Sequence, residues 1–147
     1  MEQVTIYTDG ACADNPRGNG GYGVVIVCGD NRQELAGGLR NTTNNRMEMM
    51  AAIKALETIK TPSEILLYSD SKYLLNGIAS WRRTWKINNW QRKEKGGWVD
   101  VKNKDLWQQL DQFCAFHKIC CSWVPGHSGN EENELCDMLA VKEIYCL

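Results

Sequence analysis

Four acidic residues stand where their surroundings could gather them for chemistry. Asp9 ends the alternating run Gln3–Asp9, and Asp70 follows the apolar run Ile65-Leu66-Leu67-Tyr68. Glu48 sits beside an apolar stripe, Met49, Ala52, Ile53 and Leu56, and Asp137 lies among Leu135, Met138 and Leu139. Taken singly, Asp9 before Gly10 and Asp70 before Ser71 read equally well as turn or cap residues. Brought to one sheet edge, four carboxylates repel unless cations compensate, and hard divalent ions with oxygen ligands such as Mg²⁺ are the natural compensation. Two such ions about 3.5–4 Å apart can clamp the attacking and leaving oxygens of an in-line phosphoryl displacement. His127, in the loop Val124–Asn130, suits a proton carrier near neutral pH and equally a locally bonded loop residue. His117 reads as a helix C-terminal cap.

A second constellation runs from Trp81 to Trp98. Residues 82–95 hold Arg82, Arg83, Lys86, Arg92, Lys93 and Lys95 against Glu94 alone, a local charge of +5 in a chain whose net charge is −1. Trp81, Trp85 and Trp90 are interleaved with these cations, the first two on one helical face. Such a run is either a solvated basic helix anchored by core tryptophans or a surface that tracks phosphates.

The 147 residues, 43% of them hydrophobic, suit one folded domain and exclude a disordered or fibrous chain. No apolar run approaches the roughly 20 residues that span a bilayer, and the residues from Met1 hold no basic region followed by a long apolar one, so no secretory signal is expected. The seven cysteines are odd in number and form no C-x-x-C pair, which points to reduced thiols in a cytoplasmic protein. Gly18, Gly20 and Gly23 spell G-x-G-x-x-G but precede a strand, so a hairpin turn is expected rather than a dinucleotide site.

The elements that must position these groups follow from periodicity. Period-two alternation predicts a strand over 3–9, an apolar run a second over 22–28, and the residues after the turn at Gly29-Asp30-Asn31 a third over 32–39, an antiparallel meander. The stripe through Leu56 predicts a helix from Asn44 to Lys60, with Thr43, Asn44 and Asn45 as N-cap candidates and Thr61-Pro62 as its stop. A strand buried on both faces follows at 65–68, then a short helix capped by Ser71 and running to about Ser80. Leu106, Leu110, Phe113 and Cys114 mark another helix, Ile119–Val124 a last strand, and Glu131 onward a final helix. The expected fold is α/β in the layered α+β sense, a mixed sheet flanked by helices.

In this order, Tyr7-Thr8-Asp9-Gly10, Asn15-Pro16 with its glycines, Thr42-Thr43-Asn44-Asn45-Arg46-Met47-Glu48, Ser69-Asp70-Ser71, the Trp81–Trp90 segment, and Val124–Gly129 followed by Asn133-Glu134 and Asp137 resemble bacterial-type ribonuclease HI over essentially the whole chain. The resemblance implies a five-stranded RNase H-like sheet, three strands antiparallel and then parallel ones, in a single domain over 1–147. It implies an endonuclease that cuts the RNA strand of RNA–DNA hybrids largely without regard to sequence, leaving 5′-phosphate and 3′-hydroxyl ends. Two Mg²⁺ ions would serve it, with Mn²⁺ able to substitute. Asp9, Glu48, Asp70 and Asp137 match the family's metal-binding carboxylates, and His127 matches its loop histidine for proton transfer or product release. Gly10, Cys12, Asn15, Asn44 and Asn45 match minor-groove contacts; Thr43 and Asn103 match positions that hold a phosphate of the DNA strand. Lys72 stands where bacterial relatives commonly carry Gln. The segment at about 81–98, with Trp81, Arg82, Arg83, Trp85, Lys86 and Trp90, matches the substrate-binding protrusion. A cytoplasmic monomer with no membrane and no obligate protein partner is expected.

Overall fold

Strand β1 covers Glu2–Cys12 and so extends beyond the expected 3–9 at both ends, because it finds partners along its full length. It pairs antiparallel with β2 (Gly18–Cys28) and parallel with β4 (Ser63–Ser69), Ile6 lying opposite Ile26 on one side and Leu67 on the other. Strand β3 (Asn31–Thr42) pairs antiparallel with β2 from Asn31 to Thr42, so it outruns its predicted end by three residues. The structure, a computed structural model, describes residues 1–14, 16–126 and 129–147. The five-stranded sheet has the order β3-β2-β1-β4-β7, with β7 (Lys118–Trp123) parallel to β4.

Helix α1 (Asn44–Glu57) is capped by Thr43, whose hydroxyl accepts the Arg46 N–H at 3.2 Å. It ends three residues before the predicted Lys60, Thr58 serving as its C-cap. The stripe Met49, Ala52, Ile53 and Leu56 is buried as its spacing requires, against Val4, Ile6, Val24, Ile65 and Leu67 of the sheet. Helix α4 (Lys104–Phe116) completes this layer through Leu106, Trp107 and Leu110. The opposite sheet face carries α5 (Glu131–Tyr145), which rests on β1 and β2 through Cys136 and Ala140.

The helix begun by Ser71, whose hydroxyl accepts the Leu74 N–H, does not stop near Ser80. It runs as α2 (Lys72–Asn76), one wide π-type turn over Gly77–Trp81, and α3 (Arg82–Ile87). The wide turn falls where Gly77 meets the indole of Trp107; a Cβ there would lie 1.9 Å from the ring. Beyond α3 the basic segment folds into a hairpin, β5 (Gln91–Glu94) and β6 (Gly97–Asp100), which its charge pattern had concealed. The G-x-G-x-x-G glycines lie within β2 rather than in a hairpin turn. All seven cysteines are free.

Candidate active site

Parallel pairing of β1 and β4 brings Asp9 and Asp70 to the same sheet edge. Glu48 joins them from the second turn of α1, and one carboxylate oxygen from each of the three lies within 4.8 Å of the others. The approach of α1 depends on Gly10, where a Cβ would stand 2.4 Å from the Glu48 backbone nitrogen. Freed of a side chain, Gly10 donates its N–H both to Asp9 Oδ1 at 3.0 Å and to Glu48 Oε1. Asp9 and Glu48 are only 4% and 3% exposed. Asp137, half-buried on α5, faces the same cleft of about 480 Å³.

Burial dominates the electrostatics. It pushes the Asp9 carboxyl up to about 8, with the charges of Asp70 and Asp137 adding to the rise and a hydrogen bond with Glu48 opposing it. Glu48 is raised well above the usual carboxylate range, first by burial and then by the charge of Asp9. No lysine or arginine pairs with any of the four acids among the described residues. The cluster therefore meets the requirement for a divalent cation: buried oxygen donors, excess negative charge and no protein cation to cancel it. This has a measurable consequence. The unfolded Asp titrates near 3.9, so below that value the raised folded pKa costs nothing, and stability is lost as pH rises toward about 8. In EDTA the melting temperature should fall from mildly acidic to mildly alkaline pH, and saturating Mg²⁺ should flatten that slope.

The other residues singled out from sequence divide by place. Gly10, Cys12, Asn44, Asn45 and Lys72 line the carboxylate cleft. The Thr43 hydroxyl is engaged as the α1 cap. Asn103 has a left-handed backbone (φ 60°) at the start of α4, and its side chain does not cap that helix. Its Oδ1 accepts from Arg46 at 3.2 Å and its Nδ2 donates to the Tyr73 hydroxyl at 3.1 Å. Arg46 is in turn held by both carboxylate oxygens of Asp105, at 3.0 and 2.7 Å. Asn15 and His127 lie outside the described residues. Gly126 stands against Asp70, its Cβ position 2.9 Å from Oδ2.

In the basic segment the cations have different employments. Arg82 donates to Asp111 Oδ1 at 2.8 Å and to the Ile78 carbonyl at 3.0 Å, while Lys86 meets Asp111 Oδ2 at 2.9 Å. Asp111 is buried, so this pair of cations holds α3 onto α4. Arg83, Lys93 and Lys95 are exposed. Trp85 packs on Trp107 with ring centroids 5.4 Å apart, Trp90 is half-buried against the core, and Trp81 stays exposed. Arg46, Tyr73, Asp111 and Trp123 were not singled out from sequence. For Asp111 the signal was its place four residues after Trp107, on the buried face of α4.

The RNase H family model matches residues 1–145. The ribonuclease H of Rippkaea orientalis is 51% identical over 142 residues, covering 96% of this chain and 85% of that one. The ribonuclease HI of Synechocystis sp. is 51% identical over 140 residues, covering 94% and 85%. Among solved structures, LC9-RNase H1, described as a type 1 RNase H with the type 2 active-site motif, superposes with a TM-score of 0.88 at 29% identity, over 99% of this chain and 74% of that one. Agreement of this extent, in sequence and in three dimensions, places the chain in the ribonuclease H family, beside the bacterial ribonucleases H and HI, as a nuclease of the class that degrades the RNA strand of RNA–DNA hybrids.

Proposed function

We propose that the chain acts as a single RNase H domain over 1–147, a cytoplasmic monomer that cuts the RNA strand of RNA–DNA hybrids endonucleolytically by two-metal-ion catalysis. The observation that carries this reading is the buried Asp9–Glu48 pair with Asp70 beside it and no protein cation to balance them. Asp9, Glu48, Asp70 and Asp137 would hold two Mg²⁺ ions, with Mn²⁺ able to substitute. When bound, such ions supply Lewis-acid stabilisation of the charge on the scissile phosphate and its leaving oxygen. Water adds to phosphorus as the bond to the 3′ oxygen breaks, so the products carry 5′-phosphate and 3′-hydroxyl ends. His127 serves as the proton carrier for the attacking water or the departing oxygen.

The remaining residues bind and discriminate. Gly10, Cys12, Asn15, Asn44, Asn45 and Lys72 face the minor groove, where the 2′-hydroxyl tells RNA from DNA. Thr43 and Asn103 hold a phosphate of the DNA strand, and Trp81, Arg83 and the exposed lysines of the hairpin track the backbone. Arg82, Trp85, Lys86 and Trp90 build the protrusion that presents them. Contacts of this kind position the duplex without reading bases, so cleavage is largely independent of sequence. A hybrid labelled on each strand tests the reading. The RNA strand alone should be cut in Mg²⁺ or Mn²⁺, with 5′-phosphorylated fragments and none in EDTA. Binding without cleavage in either metal, or cutting of the DNA strand, would overturn it.

A further inference from the structure

Lys72 is the one lysine or arginine among the described residues that line the carboxylate cleft. Opposite charge favours an ammonium folding onto the nearest acid, yet no ion pair joins Lys72 to any acid among the described residues. Its Nζ lies instead 4.5 Å from the centroid of the Trp123 ring. Trp123 ends β7 opposite Ser69, and its indole N–H donates to the Asp70 carbonyl oxygen at 3.3 Å. One side chain thus grips both the backbone of a carboxylate residue and the ammonium two residues further on. An ammonium over an indole face and an ammonium beside a partly exposed carboxylate are attractions of similar, small size. The Trp123 ring, rather than an acid, is therefore a sufficient resting place for the Lys72 ammonium.

We propose that Trp123 is a positioning residue that holds Lys72 off Asp70, which keeps the carboxylates available to a divalent cation and leaves the ammonium free at the cleft rim. The proposal rests on the reading that the carboxylates hold the metal. An ammonium paired with Asp70 would have to be displaced before a cation could bind, so removal of the ring weakens metal binding even though no ligand has changed. Trp123 is 49% exposed and lies outside the buried core, so its replacement opens no core.

Calorimetric titration of Mg²⁺ into the EDTA-stripped full chain tests this without recourse to activity. Trp123→Leu should raise the Kd for Mg²⁺ by about two- to fivefold, the scale of a single exposed cation–ring or ion-pair contact. Trp123→Phe, which keeps a ring but lacks the indole N–H, should stay close to wild type. The double variant Trp123→Leu/Lys72→Gln should bind Mg²⁺ as Lys72→Gln alone does. The proposal falls if Trp123→Leu binds like wild type, if Lys72→Gln fails to restore it, or if Trp123→Phe is as weak as Trp123→Leu, since the loss would then run through the Asp70 carbonyl. Asp70→Asn separates the two levels: if it leaves Mg²⁺ binding unchanged, or if wild type binds none, the carboxylate reading itself is wrong.

Discussion

Asp70→Asn is expected to lower RNA-strand cleavage by about a thousandfold, the scale on which one preorganised electrostatic group contributes to a transition state. The change removes one charge and little else. Asn matches Asp in size, and the backbone carbonyl that accepts from Trp123 is untouched. Hybrid affinity in EDTA should hold or tighten, because a negative group facing phosphates is gone. Stability should move the opposite way to activity. The charge of Asp70 raises both Asp9 and Glu48, so its loss relieves repulsion within the apo cluster. About 1 kcal/mol of relief corresponds to roughly 3 °C in melting temperature for a chain of this size. A variant that is inactive, more stable and still able to bind hybrid cannot be dismissed as misfolded. Near-normal turnover would remove Asp70 from the chemistry.

How much of this was legible in the sequence depends on the distance over which each residue acts. Asp9 and Asp70 could be placed at or near strand ends because a strand's period is local, and the helix-containing crossover between β1 and β4 allows the parallel pairing that is found. Only Asp9 lies further inside, three residues before the end of β1. Glu48 followed from the α1 stripe for the same reason. The basic segment was read by its charge and tryptophans, yet charge does not distinguish α3 from the β5–β6 hairpin, and the turn between those strands is closed by Gly97 at φ +127°. The role of Arg82 was hidden for a different reason. Its partner Asp111 lies on another helix, and a cation's partner at that separation leaves no trace in its neighbours. Local periodicity likewise says nothing of Trp123 reaching back to Asp70 and Lys72. The glycines of β2 were visible as residues that must lack a side chain, but a turn and a close helix approach make the same demand on composition.

The second large effect comes from those glycines. A Cβ at Gly21 would stand 2.0 Å from the Ala140 carbonyl oxygen, and one at Gly23 would stand 2.2 Å from that of Cys136. The two contacts match in spacing: two strand residues advance about 6.7 Å, and four helical residues about 6 Å. Successive turns of α5 therefore rest on alternate residues of β2, with strand and helix running in opposite senses. Gly23→Ala sets a methyl against backbone that no rotamer change can move, so α5 must lift by about 1 Å to restore ordinary contact. Such overpacking costs about 1–3 kcal/mol. Asp137 is the residue after Cys136, so the displacement is delivered to a proposed metal ligand. A misplacement of about 1 Å at a reacting centre can lower the rate on the order of a hundredfold. Gly23→Ala should accordingly melt several degrees lower and cleave hybrid far more slowly, with a raised Mg²⁺ requirement. Gly96→Ala is the control, since nothing lies within 4 Å of its Cβ position. If both variants behave alike, α5 is not seated by β2, and Asp137 owes its place in the cleft to something other than the missing side chain of Gly23.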